Sequence, residues 1–179
     1  MARIGRDLVS QARMLAGYER RRPRQATVRR AISTAYYGLF HFLIEESTAL
    51  ICGAGQEDQH LRQLASRAFV HVKMRSVCRE FVKPNPQDVH DLLQPFWSRL
   101  GIANNHQVRL VAQTFIDLQD DRHTADYDPS VSFSRQDALN AALRADTAVN
   151  AWRQLKTANP QIARLFAIAL ILWPSLAGR

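Results

Sequence analysis

An all-α chain is what this sequence predicts, and three observations carry the prediction. Apolar positions recur at i, i+3, i+4 and i+7 along most of the 179 residues, while no stretch alternates with period two over a convincing length. Pro23, the glycines at 53 and 55, Pro84, Pro86, Pro129 and Pro160 punctuate the periodic stretches where helices must stop or start. A hydrophobic share of 46% beside 22% charged residues is that of a chain that folds around a core, not of a disordered one. The expected architecture is an antiparallel bundle of five to six helices in a single domain, residues 1–179.

The elements follow in order. A first helix spans 3–17, with Ile4, Leu8, Ala12, Leu15 and Ala16 on one face. Pro23 interrupts the chain, and a long second helix runs from about Thr27 to Cys52, stopped by "GAG". Residues 57–82 read as a third helix, closed off by "KPNPQ". An irregular connection follows with a short segment, "DVHDLLQPFWSRL". Asn104 is placed to cap a fourth helix through Asp126, and Pro129 prevents continuation much past Tyr127. "SRQD", Ser134 to Asp137, has the pattern of an N-cap with an acid at N3 and opens a fifth helix to about Thr157. Pro160 starts a sixth, an extra apolar helix within 158–179 that ends at Trp173 and Pro174.

That last helix contains "LFAIALILW", nine apolar residues in a row. A membrane span needs roughly 20, so the run is expected to be a core element or an oligomer contact, and no membrane association is expected. The start of the chain, "DLVSQARMLAG", is polar-interrupted and unlike a signal peptide, which points to a cytoplasmic protein. Cys52 and Cys78 make no disulfide framework, and no Cys/His spacing resembles a metal site. No cofactor-binding motif is present: there is no glycine-rich phosphate loop, no nucleophile elbow and no Ser-His-Asp ordering.

Charge is unevenly placed. Residues 1–30 hold nine arginines against Asp7 and Glu19, a net of +7, whereas the other 149 residues net +1. Arg20, Arg21, Arg22 and Arg24, with Arg29 and Arg30 beyond, form either a nucleic-acid-facing arm or a solvated loop in an arginine-rich chain.

Two segments carry polar groups on helix faces that should be apolar. On the fourth helix the stripe Val108, Val111, Ala112, Phe115, Leu118 steps onto Arg122 and then Asp126. A charge there must be paired or face a cleft. On the second helix Arg29, Ser33, Tyr36 or Tyr37, Phe40 and Ile44 share a side, with His41 one turn after Tyr37. Tyrosines so placed bury the ring and seek a partner for the hydroxyl.

Together, "RRAISTAYYGLFHFL" and "RHTADYDP" resemble the HEPN superfamily (higher eukaryote and prokaryote nucleotide-binding domain), most of all its small stand-alone bacterial members. The S-x-A-Y-Y-x-x-F-H pattern is met by Ser33, Ala35, Tyr36, Tyr37, Phe40 and His41, and R-x-x-A-D-Y by Arg122, Ala125, Asp126 and Tyr127. The resemblance covers roughly residues 5–157. It implies a helical bundle, commonly a homodimer, and RNA as the substrate or ligand. Many such domains are metal-independent ribonucleases of toxin–antitoxin or phage-defence systems, built on an R-x4–6-H motif. Here Tyr127 and Asp128 occupy the places where that histidine would fall, and the nearby imidazoles are the adjacent His123 and the distant His41. The resemblance therefore implies either a variant site using Arg122, Asp126 and one of those histidines, or a non-catalytic protein. The second alternative is the binding partner of a minimal nucleotidyltransferase antitoxin, for which Tyr127 would be a modification target.

Overall fold

The computed structural model describes residues 4–19 and 21–176. Eight α-helices account for its regular structure: α1 (Ile4–Tyr18), α2 (Gln25–Cys52), α3 (Gln59–Ser66), α4 (His71–Phe81), α5 (Gln94–Arg99), α6 (His106–Tyr127), α7 (Arg135–Ala158) and α8 (Pro160–Leu176). Short 3-10 turns lie at Pro86–Asp88 and Ile102–Asn104, and no strand occurs among the described residues. The all-α class is as expected, but the helix count exceeds six.

The extra helices have local causes. The stretch expected as one helix over 57–82 is broken between α3 and α4, where Phe69 turns into the core and Val70 adopts extended backbone at φ −125°. Neither glycine nor proline marks this break. α3 is instead tied back to the turn after α2, since Arg62 Nη1 donates to the Gly53 carbonyl at 2.7 Å and the Gly55 carbonyl at 2.8 Å. Gly53 sits at φ +96°, a left-handed conformation that glycine adopts freely. The short segment before α6 supplies α5.

Side-chain caps explain two of the helix starts, those of α7 and α6, whereas α3, α4 and α5 begin without one. Ser134 Oγ accepts the Asp137 amide at 3.1 Å while Asp137 Oδ2 accepts the Ser134 amide at 2.7 Å, a reciprocal capping box. α6 is capped one residue later than expected, by Asn105, whose Oδ1 accepts the Val108 amide at 3.0 Å. α8 runs past Pro174 to Leu176, because a proline removes one hydrogen bond without preventing a final turn.

By compactness the chain divides into two units: residues 1–42 with 114–150, and residues 43–113 with 151–179. In the first, α1 buries Gly5, Val9, Ala12 and Ala16, whereas Ile4 is 49% exposed. The expected apolar face is thus rotated towards the smallest residues, because α1 lies too close to α2 for larger ones. A Cβ at Gly5 would come within 2.4 Å of the Phe42 amide nitrogen, and one at Gly38 within 2.7 Å of Val9 Cγ2. Around this seam Ile32, Ala35, Tyr36, Leu39, Phe115, Leu118, Ala141 and Ala145 form the core.

The second unit centres on Phe81, whose ring meets Trp97 at 5.4 Å and Phe166 edge-on at 4.8 Å. Trp152 packs on Phe166 at 5.9 Å, and its Nε1 donates to Glu46, which also accepts Lys156 Nζ at 2.5 Å. The nine-residue apolar run is therefore mostly core: Phe166, Ala167, Ala169, Leu170 and Trp173 are buried, while Ile168 and Leu172 are exposed. No helix among the described residues is long and apolar enough to cross a membrane.

The seam makes a prediction. Gly5→Ala and Gly38→Ala should each lower unfolding stability by about 1–3 kcal/mol through overpacking. Gly17→Ala, with nothing within 4 Å of its Cβ position, should be neutral or slightly stabilising. Urea denaturation followed by circular dichroism measures all three, and equal effects would refute the close approach.

Candidate functional site

Val108, Val111, Ala112, Phe115 and Leu118 are all buried on α6, and one turn on the same stripe carries Arg122. Its guanidinium is framed on three sides. Nη2 donates to the Tyr37 hydroxyl at 2.8 Å and lies 3.5 Å from the Tyr127 hydroxyl. Both rings face the cation, their centroids 5.4 and 5.3 Å from Cζ. Nε lies 2.7 Å from Asp126 Oδ2, an ion pair and not a directed hydrogen bond. The other Asp126 oxygen accepts the hydroxyl of Ser33, which is 1% exposed and needs a partner. A continuous polar chain thus runs from Ser33 through Asp126 and Arg122 to Tyr37, joining α2 and α6.

Burial acts to lower the Arg122 pKa, but Tyr37, Asp126 and Tyr127 outweigh it and hold it above its ordinary value. Arg122 is therefore a permanent cation. Its Nη1 makes no hydrogen bond to a described residue, and the side chain is 23% exposed.

Below this chain sits a second arginine. Arg29 Nη1 donates to the Ala125 carbonyl at 2.8 Å, and Nη2 to the carbonyls of Asp128 at 3.0 Å and Val131. Its guanidinium also stacks over Phe133 at 5.5 Å. Gln25 pairs reciprocally with the Phe133 backbone, Nε2 to the carbonyl at 2.7 Å and amide to Oε1 at 3.0 Å. In the same loop the Ser130 side chain and backbone hold the Asp128 carboxyl below its usual range.

The paired tyrosines separate cleanly. Tyr36 is 1% exposed and packs on Phe115 at 5.5 Å, so Tyr37 is the one that meets Arg122. His41 is half-buried with Phe40 edge-on at 5.3 Å, and no hydrogen bond joins it to Arg122 or Asp126 among the described residues. His123 is exposed, its ring 5.1 Å from that of Tyr127, which is itself 63% exposed.

Of the arginines expected to meet nucleic acid, Arg20 lies outside the described residues, and Arg21, Arg22 and Arg30 are exposed. Arg24 is exposed but pairs with Glu19, at 2.5 Å through Nε and 2.6 Å through its amide. Arg29 has its donors committed to the end of α6 and the loop after it. That clamping role is not evident from residue type. The available signal is that Arg29 stands one turn before Ser33, on the side of α2 that carries Tyr37.

Among the described residues no three His, Cys, Asp or Glu side chains are grouped so as to hold a metal ion, and Asp121 pairs with Arg144. The chain matches no family model, no curated protein and no solved structure.

Two expectations follow. Arg29→Ala should cost about 1–2 kcal/mol, since three carbonyls lose a charged donor, read as a lower urea midpoint with the slope unchanged. A second concerns pH. Burial lowers the His41 pKa, so on acidification the unfolded chain takes up this proton first. The contribution of His41 is fully present above its ordinary pKa of about 6.5 and is lost as pH falls from there towards the folded value. His41→Gln should flatten that part of the stability–pH curve, and an unchanged curve would exclude the titration.

Proposed function

We propose that this chain is a HEPN-like RNA-binding protein, an antiparallel bundle that pairs into a homodimer, with Arg122 as its phosphate contact. The observation that carries this reading is the uncommitted Nη1 of a guanidinium fixed by Asp126 and Tyr37. Its support is the convergence of the two motif segments, since Ser33 and Tyr37 from one meet Asp126 and Arg122 from the other. The contact order also supports it: Gly5 lies against Phe42 and Val9 against Gly38, so rising positions on α1 pair with falling ones on α2. The exposed Arg21, Arg22 and Arg30 would add attraction independent of base sequence.

The activity this assigns is metal-independent RNA cleavage of toxin–antitoxin or defence type. The ribose 2′-hydroxyl gives its proton to an imidazole while its oxygen attacks phosphorus. The 5′-oxygen leaves and takes up a proton, producing a 2′,3′-cyclic phosphate and a free 5′-hydroxyl. Arg122 would stabilise the charge gathering on the phosphoryl oxygens. His123 is the solvent-accessible imidazole for the base, whereas His41 is half-buried.

A second reading is a non-catalytic partner of a minimal nucleotidyltransferase. It is favoured by one observation: no hydrogen bond links either histidine to Arg122 among the described residues, while the 63% exposed Tyr127 presents its hydroxyl at the rim.

Purified protein incubated with total RNA in EDTA separates these readings. The first expects cleavage that falls about 100-fold or more in Arg122→Ala and also in His123→Ala, with binding that weakens steeply as salt rises. Salt-dependent binding without cleavage leaves the non-catalytic reading. Neither binding nor cleavage removes RNA from the account.

A further inference from the structure

We propose that the groove between α5 and α8 is a binding site for a single-chain amphipathic anion, an aliphatic chain ending in a carboxylate. Both helices belong to the second unit, whereas the Arg122 network belongs to the first.

The groove exists because α8 presents more apolar surface than its own packing uses. Phe166, Ala167 and Leu170 are buried, yet Ile168, which lines the groove, is 43% exposed. Leu165 and Ile168 of α8 face Phe96 and Leu100 of α5 and its end, across a cavity of about 770 Å³. That volume lies in the range of roughly 300–1,000 Å³ typical of small-molecule sites, where apolar walls carry a few polar groups that fix orientation.

Here the polar groups are cationic. Arg99 and Arg164 both line the cavity and are exposed, and neither has a carboxylate partner among the described residues. Arg99 is held over the ring of Phe96 with Cζ at 5.0 Å from its centroid, which keeps the guanidinium beside the groove. Two like charges bordering one apolar trough are complementary to a ligand that is apolar along its length and anionic at one end. A guanidinium pairs best with a planar acceptor such as a carboxylate.

The same charges argue against the other occupants. A second copy docked symmetrically through this groove would add another Arg99 and Arg164 to the same interface, and no acid lines the cavity to offset them. A neutral apolar ligand would leave both guanidiniums unused.

The test is binding of dodecanoate below its micellar concentration, followed by calorimetry, with dodecanol as the uncharged control. Dodecanoate should saturate at one molecule per chain and bind about tenfold tighter than dodecanol. The double variant Arg99→Ala, Arg164→Ala should bring the two ligands level. Ile168→Glu, at an exposed position, should abolish binding of both while circular dichroism stays unchanged. The proposal is overturned by non-saturable binding, by equal affinity of acid and alcohol in the native protein, or by binding indifferent to both variants. It is equally overturned if sedimentation finds a dimer that Ile168→Glu dissociates, since the groove would then be covered by a second copy.

Discussion

A guanidinium on the apolar stripe of a helix has to be compensated, and the polar organisation of the first unit follows from that constraint at Arg122. An unpaired charge withdrawn from water costs several kcal/mol. The chain meets this with one carboxylate, two phenol rings and a serine that holds the carboxylate in place. The side chains of Arg122 and Asp126 are 23% and 28% exposed, so solvent screens the pair and its net contribution to stability is small. Its effect is geometric. Asp126, fixed from below by Ser33, determines which edge of the guanidinium is occupied and which remains for a ligand.

That arrangement requires α2 and α6 to hold their register. Tyr36 provides it from the core, packing on Phe115 and Phe40, while its neighbour Tyr37 turns about 100° away to reach Arg122. Adjacent identical residues thus do different things, one filling the interior and one aiming a hydroxyl. Gly38 on the other side of α2, and Gly5 on α1, let α1 lie close enough to cover the same helix. α2 is therefore packed by volume on one side and by hydrogen bonds on the other.

Much of this is legible in the sequence where local chemistry speaks. Ser134 with Asp137 marks the start of α7, Pro160 that of α8, and the step from Leu118 to Arg122 flags a polar group in an apolar stripe. Ser33, Arg122 and Asp126 can each be singled out before any fold is known, and the tyrosine pair can be flagged as a unit. What is illegible depends on distance between helices. Nothing local separates Tyr36 from Tyr37, because the distinction is a helical rotation set by Phe115. The face of α1 is misread because hydrophobicity ranks Ile4 above Gly5, while the closeness of Phe42 ranks them the other way. The break before α4 carries no glycine or proline, and Arg29 looks like a surface cation until its three carbonyls are placed.

The loop joining α6 to α7 resembles a linker in composition, with Pro129, Ser130, Val131 and Ser132 in succession. Its backbone is nevertheless fastened: Arg29 holds the carbonyls of Asp128 and Val131, and Gln25 holds both polar groups of Phe133. A protease must draw the loop into an extended strand across its active site, so nicking here demands that both clamps release together. The segment a chain cutter would choose from sequence is thus guarded by the first turns of α2, and Tyr127, immediately before it, stands on an anchored base and not on a hinge.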